Sequence, residues 1–127
     1  MVQAVPGIKF GLAFCEASGP CLIRHTGTDA ELERFAIDAA SAIGAGHVFV
    51  VILGNAYPVN VLNQIKSVTE VCNVFCATAN ALRLIVAEDG GRRGVIGVID
   101  GESPKGVESV EDQAERRAML RRFGYKQ

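Results

Sequence analysis

The segment from Phe10 to Asp29, FGLAFCEASGPCLIRHTGTD, gathers side chains that can do chemistry. It begins as an apolar run and then presents a carboxylate, short glycine turns, an Arg-His pair and three hydroxyls before a helix start. A buried core does not need this collection, whereas a site for a polar ligand that carries phosphate does. His25, one of two histidines in the 127-residue chain, lies inside the segment. The segment therefore predicts a binding site for such a ligand.

His25 is the first candidate catalytic residue, because an imidazole nitrogen can accept a phosphoryl group. It lies just before a predicted helix start, where free backbone N–H groups favour phosphate. The hydroxyls of Thr26 and Thr28 could hold the phosphate oxygens. Asp29 and Glu31 oppose this interpretation, because their negative charges lie in the same turn and would repel phosphate. The alternative is an ordinary surface histidine on a loop.

His47 is the second candidate catalytic residue. Gly44 and Gly46 precede it, and glycines can admit a ligand close to the backbone. The alternative is a helix end followed by a histidine whose ring is fixed by a backbone carbonyl. In parallel sheets, binding sites lie at the carboxyl ends of strands. His25 follows its predicted strand and His47 precedes one, so this rule favours His25. The sequence alone does not separate the two histidines further.

Polar residues near other predicted strands and helix starts complete the candidate site. Glu16 could bind ribose hydroxyls or orient a histidine, Lys105 could neutralise phosphate, and Asp100 could hold a metal or a ribose. Such residues are also ordinary turn formers and helix caps. The candidate ligand-binding residues are Glu16, Ser18, Thr26, Thr28, Asn60, Asn80, Asp100, Ser103 and Lys105.

Two familiar nucleotide-binding motifs do not occur in the sequence. It contains neither a GxxxxGK[ST] phosphate loop nor a GxGxxG dinucleotide pattern, so we expect no ATP binding through either of them. No metal site is predicted. The residues require no cofactor, and Mg²⁺ accompanying a phosphate donor is the one candidate.

The patterning predicts the elements that must position these residues. The first helix should begin at Thr28, which with Glu31 forms a capping box, and should end at Gly44. A short helix should follow Pro58, and a last helix should run from Ser109 to Gly124. The predicted extended segments are 8–14, 21–24, 48–53, 71–77, 82–87 and 94–99, the last two forming a hairpin.

This order predicts an α/β fold, a single domain with one mixed sheet of about five to six strands and helices packed on it. The runs 48–53 and 71–77 are continuously apolar, which is typical of strands covered on both faces. Three helices, two of them short, do not provide that cover in a chain of this size. We therefore expect a homo-oligomer.

Composition excludes several classes of function. The formal net charge of −1 gives no case for nucleic-acid binding, and the basic residues between 116 and 122 are interpreted as a solvated helix face. No apolar run approaches the ~18–20 residues of a membrane span, and the N-terminus has no secretory signal, so we expect a cytoplasmic protein without membrane contact. The four cysteines form no CxxC pair and should be buried free thiols.

Seven motifs together resemble the adenosine-specific kinase family of archaea and bacteria, first known as a domain of unknown function. They cover essentially the whole chain in order and read PGIKFGLAFCEASGP at 6–20, LIRHTGTD at 22–29, IGAGHVFV at 43–50, PVNVLNQIK at 58–66, CATAN at 76–80, GVIDGESPKGVE at 97–108 and the closing LRRFGYK.

The resemblance implies a protein that binds adenosine and AMP and carries a stably phosphorylated histidine. We expect phosphoryl transfer through that histidine, with a non-catalytic AMP or adenosine sensor and a structural homo-oligomer as the alternatives. Members of the family carry a strand and a helix ahead of the PGIKFG motif. This sequence has five residues before Pro6, so we expect the domain to lack that strand and helix.

Overall fold

The computed structural model describes residues 1–124, so Tyr125 and Lys126 of the LRRFGYK motif lie outside the described residues. The strands are β1 (Phe10–Cys15), β2 (Ile23–Gly27), β3 (Phe49–Leu53), β4 (Leu82–Asp89) and β5 (Arg92–Asp100). The helices are α1 (Ala30–Ile43), α2 (Leu62–Lys66), preceded by a 3-10 turn at Pro58–Asn60, and α3 (Val110–Arg122). None of the helices within residues 1–124 combines the length and the apolarity that crossing a membrane demands.

The strands form two separate sheets. In the first, β1 lies between β2 and β3 and pairs antiparallel with both, so β2 and β3 run in the same direction on either side of it. In the second, β4 and β5 form an antiparallel hairpin closed by Gly90 and Gly91, both at positive φ. The α/β class is confirmed, but the expected single mixed sheet is wrong. The connection from β1 to β2 is a short turn, which joins antiparallel neighbours.

Helix α1 covers one face of the three-stranded sheet through small residues. Ala13 and Cys15 of β1 pack against Ala36 and Ala40 of α1, and all four are buried. At Gly11 the approach is closer still, because an added Cβ would collide with the backbone of Leu32 and Glu33. Glycine at this position therefore sets the distance between α1 and β1.

A second apolar cluster covers part of the opposite face of the sheet. Ile8, Phe10 and Val61 are buried there, with half-buried neighbours from the N-terminal segment and α2. Leu12 packs against this cluster, whereas Phe14, which points to the same face by the alternation of a strand, lies outside it. The end of the sheet near Phe14 is the less covered part of this face.

The first helix begins one residue later than predicted. Asp29, not Thr28, is its N-cap, and the Asp29 carboxylate accepts hydrogen bonds from the backbone N–H groups of Glu31 and Leu32. Thr28 instead ties β1 to the loop before α1, because its hydroxyl donates to the Ile8 carbonyl and accepts from the backbone N–H of Phe10. The expected capping box at Thr28 is therefore wrong, while the expected end at Gly44, at φ +60°, is confirmed.

The segment 71–77 is not a strand, contrary to prediction. It is irregular and partly exposed, and Phe75 keeps 47% of its surface accessible. The hairpin strands and the Ser109–Asp112 capping box of α3 are confirmed. However, no residue of α3 is buried, and Ile96 of β5 is 67% exposed. Continuous apolarity thus predicted burial for residues 71–77, which the described chain leaves partly exposed.

The cysteines are free, as expected, but only one is buried. Cys15 lies in the core, Cys76 is half-buried, and Cys21 and Cys72 are exposed. The prediction of burial is therefore wrong for Cys21 and Cys72, and Cys76 meets it only in part.

Candidate functional site

His25 lies within β2 and not on the loop that the sequence predicted. It pairs with Ala13 of β1, so its side chain points to the face of the sheet that α1 covers. There its Nδ1 lies 2.5 Å from Oε1 of Glu33, in the first part of α1. The His25 side chain is 51% exposed and that of Glu33 is 26% exposed. The ring is therefore held at Nδ1 in a side chain that stays half-exposed.

The helix start next to His25 is not a free phosphate cradle. The backbone N–H groups of Glu31 and Leu32 already bond to the carboxylate of Asp29. The other oxygen of Asp29 lies 3.9 Å from Nζ of Lys9. Lys9 thus partly offsets the repulsion that Asp29 would exert on a phosphate. The Asp29 cap, however, leaves fewer free N–H donors for a phosphate than expected.

His47 lies in the turn between α1 and β3, with its backbone in the left-handed region at φ +59°. Its backbone N–H donates to the Cys15 carbonyl at 2.8 Å, which extends the pairing of β1 with β3. Its ring lies against that of Phe14, with the centroids 6.1 Å apart and an angle of 18° between the planes. An aromatic neighbour, not a backbone carbonyl, therefore orients the ring.

Glu16 and Arg24 form an ion pair next to Phe14. Oε1 of Glu16 accepts from Nε of Arg24 at 2.7 Å, and Oε2 accepts from the backbone N–H of Leu22 at 3.0 Å. The Leu22 and Arg24 hydrogen bonds lower the pKa of Glu16. Arg24 pairs with Phe14 across β1 and β2, so this charged pair borders the same face as the His47 ring. Ser18 lies in the exposed turn between the two strands.

Asp100 is the last residue of β5, and it accepts hydrogen bonds from side chains of the CATAN segment. Its Oδ1 accepts from the Thr78 hydroxyl at 2.7 Å and from Nδ2 of Asn80 at 3.2 Å, and these hydrogen bonds lower the pKa of Asp100. Burial, together with the charge of Asp100, raises the pKa of the nearby Cys76 thiol. Two of the predicted site residues, Asn80 and Asp100, are therefore in direct contact, and we call this group the Asp100 cluster.

The remaining candidates are dispersed. Asn60 caps the 3-10 turn, because its side-chain oxygen accepts from the backbone N–H of Tyr57 at 2.8 Å. Thr26, Ser103 and Lys105 are exposed, the first on β2 and the other two in the loop after β5.

The predicted site residues do not form one site within the described chain. Among residues 1–124, no hydrogen bond or ion pair joins either histidine to the Asp100 cluster. Two open surface hollows of the described part are lined by α3 residues and by residues between 62 and 77, and neither contains a histidine. The same part of the chain brings no three His, Cys, Asp or Glu side chains together as a metal site.

Sequence reasoning missed Glu33, which contacts His25 directly. A signal for it existed, since Glu33 shares one face of α1 with Ala36 and Ala40, at spacings of three and seven residues. A carboxylate on the sheet-facing side of a helix needs a polar partner. Arg24 was likewise noted only as a neighbour of His25 and not as the partner of Glu16.

Comparison with known proteins identifies the relatives of this chain. The family model described as adenosine specific kinase matches residues 1–126, and the family's name indicates adenosine-related kinase activity. The crystal structure of the PH1918 protein from Pyrococcus horikoshii OT3 is similar to this chain, with a TM-score of 0.93 and 49% sequence identity. That alignment covers 99% of this chain and 77% of the PH1918 chain. Among curated proteins, no match is found.

Proposed function

Because the chain belongs to the adenosine-specific kinase family, we propose that it binds adenosine and AMP and transfers a phosphoryl group through His25. The observation that carries the proposal is the environment of His25, a half-exposed imidazole with one nitrogen held by a carboxylate. A histidine nucleophile needs an oriented ring and an open face toward the donor.

The reaction would proceed in two in-line displacements. An imidazole nitrogen of His25 forms a bond to phosphorus while the bond between phosphorus and the bridging oxygen of a phosphate anhydride breaks, and that oxygen leaves with the electron pair. A hydroxyl of adenosine then attacks the same phosphorus, loses its proton to a base or to water, and returns the lone pair to the imidazole. The products are AMP and free His25. Positioning and charge neutralisation supply most of the rate in such transfers.

Cations lie near each candidate region, although Lys9 lies beside Asp29 and Arg24 is paired with Glu16. Lys9 lies by the start of α1, Arg24 borders the His47 face, and Lys105 is exposed in the loop after β5. Mg²⁺ would accompany the anhydride donor. Since the Asp100 cluster is not joined to His25 in one chain, we further propose that a homo-oligomer brings residues of two subunits to one nucleotide.

A non-catalytic adenosine or AMP sensor is the second candidate function. One specific observation favours it. The backbone N–H groups at the start of α1 already donate to Asp29 and so do not bind a phosphate beside His25. A sensor would bind the nucleotide at the Asp100 cluster or on the His47 face without any transfer.

Transfer of labelled phosphate distinguishes the two functions. Protein is incubated with radiolabelled phosphate donor and adenosine, and both labelled protein and labelled AMP are quantified over time. Turnover that exceeds one AMP per chain supports the kinase. Saturable AMP binding, seen as a rise in melting temperature, without any labelled product would support the sensor and contradict the kinase.

A further inference from the structure

We propose that Glu33 is the positioning residue for His25 and that it directs the phosphoryl group to Nε2 of the imidazole ring. This inference rests on the proposed role of His25 as acceptor. The starting observation is the 2.5 Å contact between Nδ1 of His25 and Oε1 of Glu33.

The contact fixes which nitrogen of the neutral ring carries the proton. An ionised carboxylate only accepts hydrogen bonds, so the nitrogen that faces Glu33 must be the donor. In the neutral imidazole the other nitrogen then holds the free lone pair. That nitrogen is Nε2, across the ring from Glu33, in a side chain that is 51% exposed. The nucleophilic lone pair is therefore on Nε2, in a side chain that is half-exposed.

The fold holds Glu33 in place. Its backbone N–H lies at the point where α1 approaches Gly11 most closely, and a Cβ added at Gly27 would lie 3.3 Å from the Cβ of Glu33. Two glycines on neighbouring strands thus admit this turn of the helix against β1 and β2. Glu31 offers a contrast on the same helix, because its side chain is 69% exposed and its nearest cation, Arg34, lies 4.0 Å away.

The charge of Glu33 also matches the charge that develops on the ring. When the Nε2 lone pair bonds to phosphorus, the bond from phosphorus to the leaving group breaks and the leaving group takes the electron pair. The ring keeps its Nδ1 proton and becomes cationic. The Glu33 carboxylate stabilises this cation, as the carboxylate of a catalytic triad does for its histidine. When the phosphoryl group departs, the electron pair returns to Nε2 and the ring is neutral again.

The first test measures the tautomer without any phosphorylation. Two-dimensional ¹⁵N NMR of the imidazole is recorded for the wild type and for Glu33→Ala, Glu33→Gln and Glu31→Ala. We expect His25 in the wild type and in Glu31→Ala to carry its proton on Nδ1. Glu33→Gln keeps an acceptor oxygen and should retain this tautomer in part, whereas Glu33→Ala should shift it toward the Nε2-protonated form. An Nε2 proton in the wild type, or no change in Glu33→Ala, would overturn the positioning role.

The second test identifies the phosphorylated nitrogen. The same proteins are treated with phosphoramidate, from which ammonia leaves as the N–P bond to His25 forms, and the isomer is read by peptide mapping and isomer-selective antibodies. We expect phosphate on Nε2 in the wild type, and incorporation about ten- to a hundredfold slower in Glu33→Ala, partly rescued in Glu33→Gln. Phosphate on Nδ1 would overturn this inference and leave the proposed function intact. Absence of phosphate from His25 would overturn the proposed function and the Nε2 assignment, and the NMR result would still decide whether Glu33 positions the ring.

Discussion

His25 and His47 lie on opposite faces of the same three-stranded sheet. His25 pairs with Ala13, whose side chain is buried under α1, whereas the His47 ring stacks on Phe14, the next residue of β1, which points the other way. The sheet separates the two rings within one chain. The two histidines are therefore alternatives within one subunit and not partners, and single substitutions can tell them apart.

We predict that His25→Ala abolishes phosphate incorporation and leaves the fold intact, because the side chain is half-exposed and surface substitutions usually cost within about 0.5 kcal/mol. His47→Ala should keep the phosphate and lose stability, since its stacking on Phe14 is worth roughly 0.5–1.5 kcal/mol. Intact mass and thermal melts of both variants check this. Phosphate retained in His25→Ala but lost in His47→Ala would reverse the assignment.

The sequence predicted most local elements but not how they assemble. Helical periodicity and Gly44 located α1, and the EDGGRR turn located the β4–β5 hairpin, because both signals are local. The prediction of a single mixed sheet was wrong. Strand pairing depends on which strands come together in the fold, and the periodicity of the sequence carries no information about this. The strand expected at 71–77 failed for a related reason. Continuous apolarity favours burial, but it does not distinguish a buried strand from an irregular, partly exposed segment such as 71–77.

The sequence proposed candidate site residues by their type, and it could not give their contacts. It singled out the segment around His25, yet Glu33 was missed because its contact requires α1 to fold back onto β2. Asn80 and Asp100 were singled out separately, and their hydrogen bond joins residues 20 positions apart. Such contacts follow from the close approach of backbones, which no spacing rule encodes.

We predict that adenosine and AMP bind with similar affinity and that ATP binds much more weakly. The family membership supplies the expectation for adenosine, and the sequence lacks a GxxxxGK[ST] loop to cradle a triphosphate. Isothermal titration calorimetry with the three ligands under one buffer and one Mg²⁺ concentration measures the order. ATP binding tighter than AMP binding would contradict the prediction.

We predict a homo-oligomer at micromolar concentration. The described chain exposes large apolar side chains in the irregular segment 71–77, in β5 and in α3, among them Phe75, Ile96 and Val110. Burial of apolar surface stabilises by roughly 25 cal/mol per Å², so such surfaces favour association. Light scattering coupled to size exclusion gives the mass. Ile96→Lys should reduce that mass, while Glu88→Lys, on the exposed end of the same hairpin, serves as a control for charge. A wild-type mass of one chain would exclude the oligomer.

The Asp100 cluster predicts a defined pH dependence. Hydrogen bonds from Thr78 and Asn80 lower the pKa of Asp100, so they stabilise the fold at pH above the ordinary aspartate range and are lost as the pH falls through the depressed pKa, below about pH 4. Thr78→Val removes the first of these donors and should raise the pKa of Asp100, as measured by NMR titration of its carboxyl carbon. Ser103→Ala deletes a hydroxyl from the neighbouring loop and should leave the titration unchanged. An equal shift in both variants would mean that the Thr78 hydroxyl is not the cause.

Gly11 is predicted to control both stability and the His25–Glu33 contact. In Gly11→Ala the new methyl group would collide with the backbone of Leu32 and Glu33, so α1 must move away from β1. Overpacking of this kind typically costs about 1–3 kcal/mol, and backbone atoms yield less readily than side chains. Gly94→Ala is the matched control, because a Cβ there meets no atom within 4 Å, and it should be neutral or slightly stabilising. Urea unfolding of both variants measures the difference. Because the displaced helix carries Glu33, His25 in Gly11→Ala should also lose its Nδ1-protonated tautomer. Unchanged stability together with an unchanged tautomer would show that the helix can adapt without moving Glu33.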